Sequence, residues 1–261
     1  MLAQRVLVAV VGIPLLTGAA YVGGLWLGAL LILISFWGLK EYYNLLRRMG
    51  LKPLGIWGQL AGLVLFLMVY WGRDFPAFFP QGALFLFLLV FLFAYPRYSL
   101  ADTAVSYAGL LYVSGSLSHL MLLRFVPEWG FSLLLYSLIS TWVNDTAAYL
   151  GGLSWGKRKL CPGLSPAKTW EGALSGLAGV LVTSLTVGPR LLPLDAWHLA
   201  VLGVLAAAAG QAGDLIESGM KRMAGAKDSG HFLPGHGGIL DRFDSLFLVG
   251  PVVYYFWRLV T

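Results

Sequence analysis

The residues best suited to chemistry are gathered between Gln211 and Asp244. Asp214, Glu217, Ser218 and Lys221 recur at i, i+3, i+4 and i+7, the spacing that puts side chains on one face of a helix. The stretch that follows holds Lys227, Asp228, Ser229, Gly230, His231, Pro234, Gly235, His236, Gly237 and Gly238, and this composition predicts a loop. It leads into Asp241-Arg242-Phe243-Asp244, two aspartates three apart that would share a face as the last apolar run begins. Carboxylates brought together from two helix ends suit a hard cation such as Mg²⁺, which takes a few carboxylates and completes its shell with water and phosphate oxygens. Glycines at 235, 237 and 238 would let backbone N–H groups approach phosphate oxygens. Lys221, Arg222, Lys227 and Arg242 supply the positive charge a triphosphate requires. Ser218, Asp228 and His236 complete the candidate binding set, His236 as a phosphate or base contact. His231 stands open between that role and a structural one.

A second candidate half-site lies upstream. Asn144-Asp145-Thr146 closes one apolar run, Gly156-Lys157-Arg158-Lys159 follows, and Ser165-Pro166-Ala167-Lys168-Thr169-Trp170-Glu171-Gly172 opens the next run. Asp145 and Lys168 are substrate-binding candidates, since each sits beside a helix end with hydroxyl neighbours. Two readings stand for Arg158 and Lys159: phosphate contacts, or charges that anchor the chain at a membrane face. The glycine–lysine spacing is not that of a P-loop.

The elements that must position these residues are apolar helices. Only 11% of the 261 residues are charged, 58% are hydrophobic, and mean hydropathy is +0.76. A soluble domain carries about 25% charged residues, so this surface is built for lipid. A spanning helix needs roughly 20 mostly apolar residues. Nine stretches qualify: 6–22, 24–44, 54–72, 81–98, 104–126, 131–150, 172–188, 199–217 and 244–260. The sequence thus predicts an all-α, polytopic integral membrane protein of about nine transmembrane helices, multi-pass, in a plasma or inner membrane. It reads as a single membrane domain, with 1–130 mainly scaffold and 131–261 carrying the catalytic spans and loops. With the amino terminus in the cytoplasm, only Arg73, Arg124, Arg190 and Arg258 fall outside, and the other fourteen of 18 Lys and Arg fall inside. That asymmetry orients the chain and puts the active site on the cytoplasmic side.

Several classes drop out. One cysteine, Cys161, supports neither an internal disulfide nor a Cys-based zinc cluster. No HExxH pattern supports a zinc hydrolase, and Ser218 is not at a nucleophile elbow. The net charge of +6 follows from the membrane anchors, so no nucleic-acid partner is expected. An ion-coupled transporter is a rival, because membrane carboxylates also mark ion pathways. Transporters place them near the midplane, whereas here they cluster at one face.

Ser218-Gly219-Met220-Lys221-Arg222, Lys227-Asp228, Pro234-Gly235-His236-Gly237-Gly238 and Asp241-Arg242-Phe243-Asp244 together resemble the signature of the CDP-diacylglycerol synthases, the phosphatidate cytidylyltransferases. The detailed similarity covers about 140–245. The resemblance implies a Mg²⁺-dependent reaction in which CTP and phosphatidate give CDP-diacylglycerol and pyrophosphate, carried out among membrane lipids by a homodimer. It makes Asp214 and Asp241 metal ligands supported by Asp244, and it makes Lys221, Arg222 and Arg242 phosphate binders. The rival within reach of that resemblance is a lipid kinase that uses CTP to phosphorylate a polyprenol or phytol.

Overall fold

The computed structural model describes residues 2–230 and 237–261. The chain is helical at each of the nine apolar stretches, as α1 (Leu2–Val22), α2 (Gly24–Arg48), α3 (Gly55–Gly72), α4 (Phe79–Phe93), α5 (Leu100–Gly109), α6 (Ser116–Phe125), α7 (Gly130–Trp155), α8 (Trp170–Thr186), α9 (Gly188–Leu191), α10 (Ala196–Met223), α11 (Leu240–Phe243) and α12 (Leu246–Val260). A π-helical turn, Leu110–Gly115, joins α5 to α6. Among the described residues, Gly24–Arg48, Gly55–Gly72 and Ala196–Met223 are long and apolar enough to cross a bilayer, as is Leu240–Val260 when α11 and α12 are taken together through the turn between them. Helices present their apolar side chains outward: Phe93 is 84% and Leu259 85% exposed, which marks a surface solvated by hydrocarbon. The chain is an all-α membrane protein carrying one small hairpin.

Local sequence explains the breaks. Gly23 and Gly24 adopt φ of 70° and 51°, a left-handed turn that separates α1 from α2 where the apolar sequence runs on almost without interruption. Ser99 and Asp102 form a reciprocal capping box at the start of α5. Thr169, in extended geometry, caps α8 by accepting the N–H of Gly172 at 3.1 Å.

The chain forms two compact units. The first comprises 1–122 and 220–242, the second 123–219 and 243–261. In the first unit, α2 packs on α3, and Ser35 and Ser114 join α2 to the π-helical turn by a buried hydroxyl pair at 2.8 Å. Tyr43 donates to the Ser106 carbonyl at 3.1 Å, and Leu54 N–H donates to Ser106 Oγ at 2.8 Å.

In the second unit α7 and α8 run antiparallel at close range. A Cβ on Gly151 would overlap Ser175, one on Gly172 would press the Ala148 carbonyl, and one on Gly176 would press Asn144. Small residues on both helices thus let two backbones come together. Tyr136 and Ser184 add a buried hydroxyl pair at 2.7 Å. Such interhelical bonds contribute about 0.6 to 2 kcal/mol each within a bilayer.

Between α7 and α8 lies an element not expected from sequence: an antiparallel hairpin of β1 (Lys159–Cys161) and β2 (Ser165–Thr169). Lys159 pairs with Thr169 and Cys161 with Ser165. Glu171, in the first turn of α8, fastens the hairpin by accepting the N–H groups of Lys157 at 3.0 Å and Arg158 at 3.2 Å.

Candidate active site

In the second unit, the hairpin, α7, α8 and α10 enclose a cavity of about 420 Å³, within the range of small-molecule sites. It is lined by polar side chains, Asn144, Asp145, Lys168, Gln211 and Asp214, and by apolar ones that include Leu153 and Leu160. Lys168 is the penultimate residue of β2, next to Thr169, the cap of α8, so hairpin register and helix cap together fix where its ammonium reaches. That ammonium lies 2.6 Å from Asp214 Oδ2, with the two side chains 24% and 35% exposed. Gln211, one turn before Asp214, donates to Asn144 Oδ1 at 3.1 Å and to the Ala173 carbonyl at 2.9 Å, tying three helices together at the cavity. Ser218 Oγ reaches Asp214 Oδ1 over a long 3.4 Å. Glu217 is fully buried.

Asp145 lies further from the end of its helix than the sequence reading, with a span ending at 150, placed it. α7 continues to Trp155, which puts Asp145 on an interior turn, exposed at the cavity wall. The glycine–lysine stretch beyond it is helix end and hairpin, because Glu171 captures the N–H groups of Lys157 and Arg158. Those bonds, the Lys157 N–H foremost, hold the Glu171 carboxyl below its ordinary pKa.

In the first unit, Asp241 is the hub of a second cluster. Its Oδ1 accepts from Lys221 Nζ at 2.7 Å. Its Oδ2 accepts from Ser229 N–H at 2.9 Å, Ser229 Oγ at 2.8 Å and Gly238 N–H at 2.7 Å. With one of these donors on Oδ1 and three on Oδ2, and a side chain only 5% exposed, the carboxylate is already engaged in hydrogen bonds that a metal would have to share or displace. The Gly238 N–H expected to face a phosphate serves Asp241 here. Gly237 has φ of 81°, and a Cβ on it would crowd Asp241 Oδ2.

The remaining predicted residues sort simply. The Arg222 guanidinium donates to the Ala226 carbonyl, past the end of α10, at 2.9 Å, and Arg222, Lys227, Asp228 and Arg242 all lie exposed at the surface. His236, like His231 and Gly235, lies outside the described residues. Asp241 and Asp244 do not continue one helical face: α11 stops at Phe243, Asp244 and Ser245 form a turn, and α12 begins at Leu246. Asp244 Oδ1 accepts the N–H of Ser245 at 2.7 Å. Its backbone carbonyl rests against Gly213, where any Cβ would overlap it, so this turn packs directly beside the residue preceding Asp214.

Sequence reasoning missed Glu41 and Ser229. Glu41 is the only carboxylate inside the second apolar stretch, and a carboxylate in a membrane segment is itself a signal of function.

Among the described residues no group of three or more His, Cys, Asp or Glu side chains stands ready to hold a metal. Mg²⁺ does not require one, because it is usually bound through one or two carboxylates plus water and substrate oxygens. Asp214 fits that requirement, with a part-exposed carboxylate at the cavity and exposed Asp145 lining the same wall.

Compared with known proteins, residues 3–260 match the model of the cytidylyltransferase family. The chain belongs to the cytidylyltransferase family. It is 36% identical to a phosphatidate cytidylyltransferase of Synechocystis over 97% of this chain and 95% of that protein. A phosphatidate cytidylyltransferase of Staphylococcus saprophyticus is 34% identical, over 95% of this chain and 96% of its own. An uncharacterized protein, YnbB, of Escherichia coli is 38% identical over 87% of this chain and 77% of its own length.

Proposed function

We propose that this protein is a membrane-embedded CTP:phosphatidate cytidylyltransferase: a phosphatidate oxygen attacks the α-phosphorus of CTP, and the bond to the β,γ-diphosphate breaks to release pyrophosphate and leave CDP-diacylglycerol. The observation that carries this reading is the Lys168–Asp214 pair at a cavity lined by both polar and apolar side chains, in a chain that matches a cytidylyltransferase model almost end to end. Phosphatidate is already anionic, so no side chain is needed to generate the nucleophile. The work left to the protein is to hold two polyanions in line and neutralise them.

Lys168 and Lys221 serve as the positioned cations, with Arg222, Lys227 and Arg242 as further phosphate contacts. Asp145, Ser218, Asp228, His236, Gly237 and Gly238 complete the binding set. Mg²⁺ would be held by Asp214 with Asp241 and Asp244, Asp241 in exchange for one of its present donors, and would supply charge neutralisation at the triphosphate. We also read the chain as one multi-pass domain of about nine spans in a plasma or inner membrane. The amino terminus and the active site face the cytoplasm, and two copies form a dimer. The charge asymmetry supports this orientation.

The test is to incubate purified protein with labelled CTP, phosphatidate and Mg²⁺ and to separate the products. A nucleotide-bearing lipid with equimolar pyrophosphate is expected. CDP with a phosphorylated polyprenol or phytol would make the protein a lipid kinase instead.

A further inference from the structure

We propose that Glu41 is a positioning residue for this reaction: its carboxylate holds Ser229 and Leu240 so that Asp241 and Lys221 keep their places. The inference rests on the cytidylyltransferase reading above and concerns a residue far in sequence from the rest of the site.

Glu41 lies on α2 and is 5% exposed. Its Oε2 accepts the N–H of Leu240, 199 positions away, at 2.9 Å, and receives Ser229 Oγ, 188 positions away, at 3.2 Å. Leu240 is the neighbour of Asp241, and Ser229 donates both its N–H and its hydroxyl to Asp241. The Ser229 hydroxyl has one hydrogen and two carboxylates in reach. Asp241 at 2.8 Å is nearer than Glu41 at 3.2 Å, so the Leu240 N–H is the firmer hold on Glu41.

The glycines around it point the same way. A Cβ on Gly230 would overlap the Glu41 carboxylate, and a Cβ on Gly238 would overlap both that carboxylate and Ser229 Oγ. The backbone on either side of 231–236 is thus shaped to admit this one side chain. Asp241 in turn holds Lys221. The chain of contacts runs from Glu41 through Ser229 and Leu240 to Asp241 and then to Lys221. Buried as it is, Glu41 acts through these groups and not on substrate.

The experiment uses the purified full chain in detergent with CTP, phosphatidate and Mg²⁺. Wild type must form the nucleotide-bearing lipid; failure at that step overturns the reading of function and the proposal with it, whereas an active wild type lets the variants judge Glu41 alone. Glu41→Ala should lower kcat by about tenfold or more, because small displacements of catalytic groups are costly. Glu41→Gln keeps an acceptor oxygen and should stay within about threefold of wild type, with KM for phosphatidate in both variants within about threefold. Ser229→Ala should also lower kcat, and the double variant should be no worse than the weaker single, because both act through Asp241. Should Glu41→Ala not fold, Glu41→Asp withdraws the same acceptor by one methylene and takes its place. Wild-type kcat in Glu41→Ala, a Glu41→Gln as impaired as Glu41→Ala, or losses that multiply in the double variant would each overturn the proposal.

Discussion

Lys221 reaches Asp241 at 2.7 Å, and the same carboxylate gathers the Ser229 and Gly238 N–H groups on its other oxygen. One aspartate thus gathers Ser229 and Gly238, the residues on either side of 231–236, and aims a cation. A buried acceptor shared by several donors is costly to leave half satisfied.

Asp241→Asn should therefore damage both stability and turnover. An amide cannot accept four donors, and its NH₂ would face N–H groups already pointing inward. We expect a loss of about 1–3 kcal/mol in unfolding free energy, read from thermal unfolding in detergent, and a fall in CDP-lipid formation of at least about 100-fold. Unaltered turnover at saturating Mg²⁺ would remove Asp241 from the catalytic set.

Lys168→Met should separate the two effects. The Lys168–Asp214 pair is part exposed, and such pairs contribute about 0–1 kcal/mol to stability. Removing a cation aimed at developing phosphate charge should cost about 100-fold in turnover. A variant that loses stability while keeping activity would show that the pair is structural.

Gly213→Ala tests the seat of Asp244. The new methyl would strike the Asp244 carbonyl, and we expect destabilisation of about 1–3 kcal/mol. Gly163→Ala is the matched control, since a Cβ there meets open space, and it should stay within about 0.5 kcal/mol of wild type.

Asp102 gives a pH-dependent prediction. Burial pushes its carboxyl up, but the Lys52 and Ser99 N–H groups, the Ser99 hydroxyl and the Lys52 charge outweigh that and hold it below its ordinary 3.8. A carboxyl lowered on folding adds stability above its unfolded value and loses it as pH falls through the folded one. Asp102→Asn should cost about 1 kcal/mol at neutral pH. The gap between the two unfolding curves should stay constant down to about pH 4 and close on further acidification. A gap that persisted unchanged in stronger acid would show that the charge plays no part.

The sequence by itself determined the membrane character, the placement of the helices and the family resemblance. Apolar run length and the period of Asp214, Ser218 and Lys221 on α10 are local properties, readable wherever the backbone satisfies its own hydrogen bonds. Tertiary structure decided which partners the charged groups take. Lys168 meets Asp214 across 46 residues because a hairpin that length and polarity did not announce sets its register. The glycines at 230 and 238 are explained by a carboxylate nearly 200 positions upstream, and no local pattern encodes a contact of that range. A short break at Asp244–Ser245 likewise ended the helical face on which Asp241 and Asp244 would have stood together. Spacing fixes which side chains share an element, while their hydrogen-bond partners are settled only when distant backbone donors compete for the same buried oxygen.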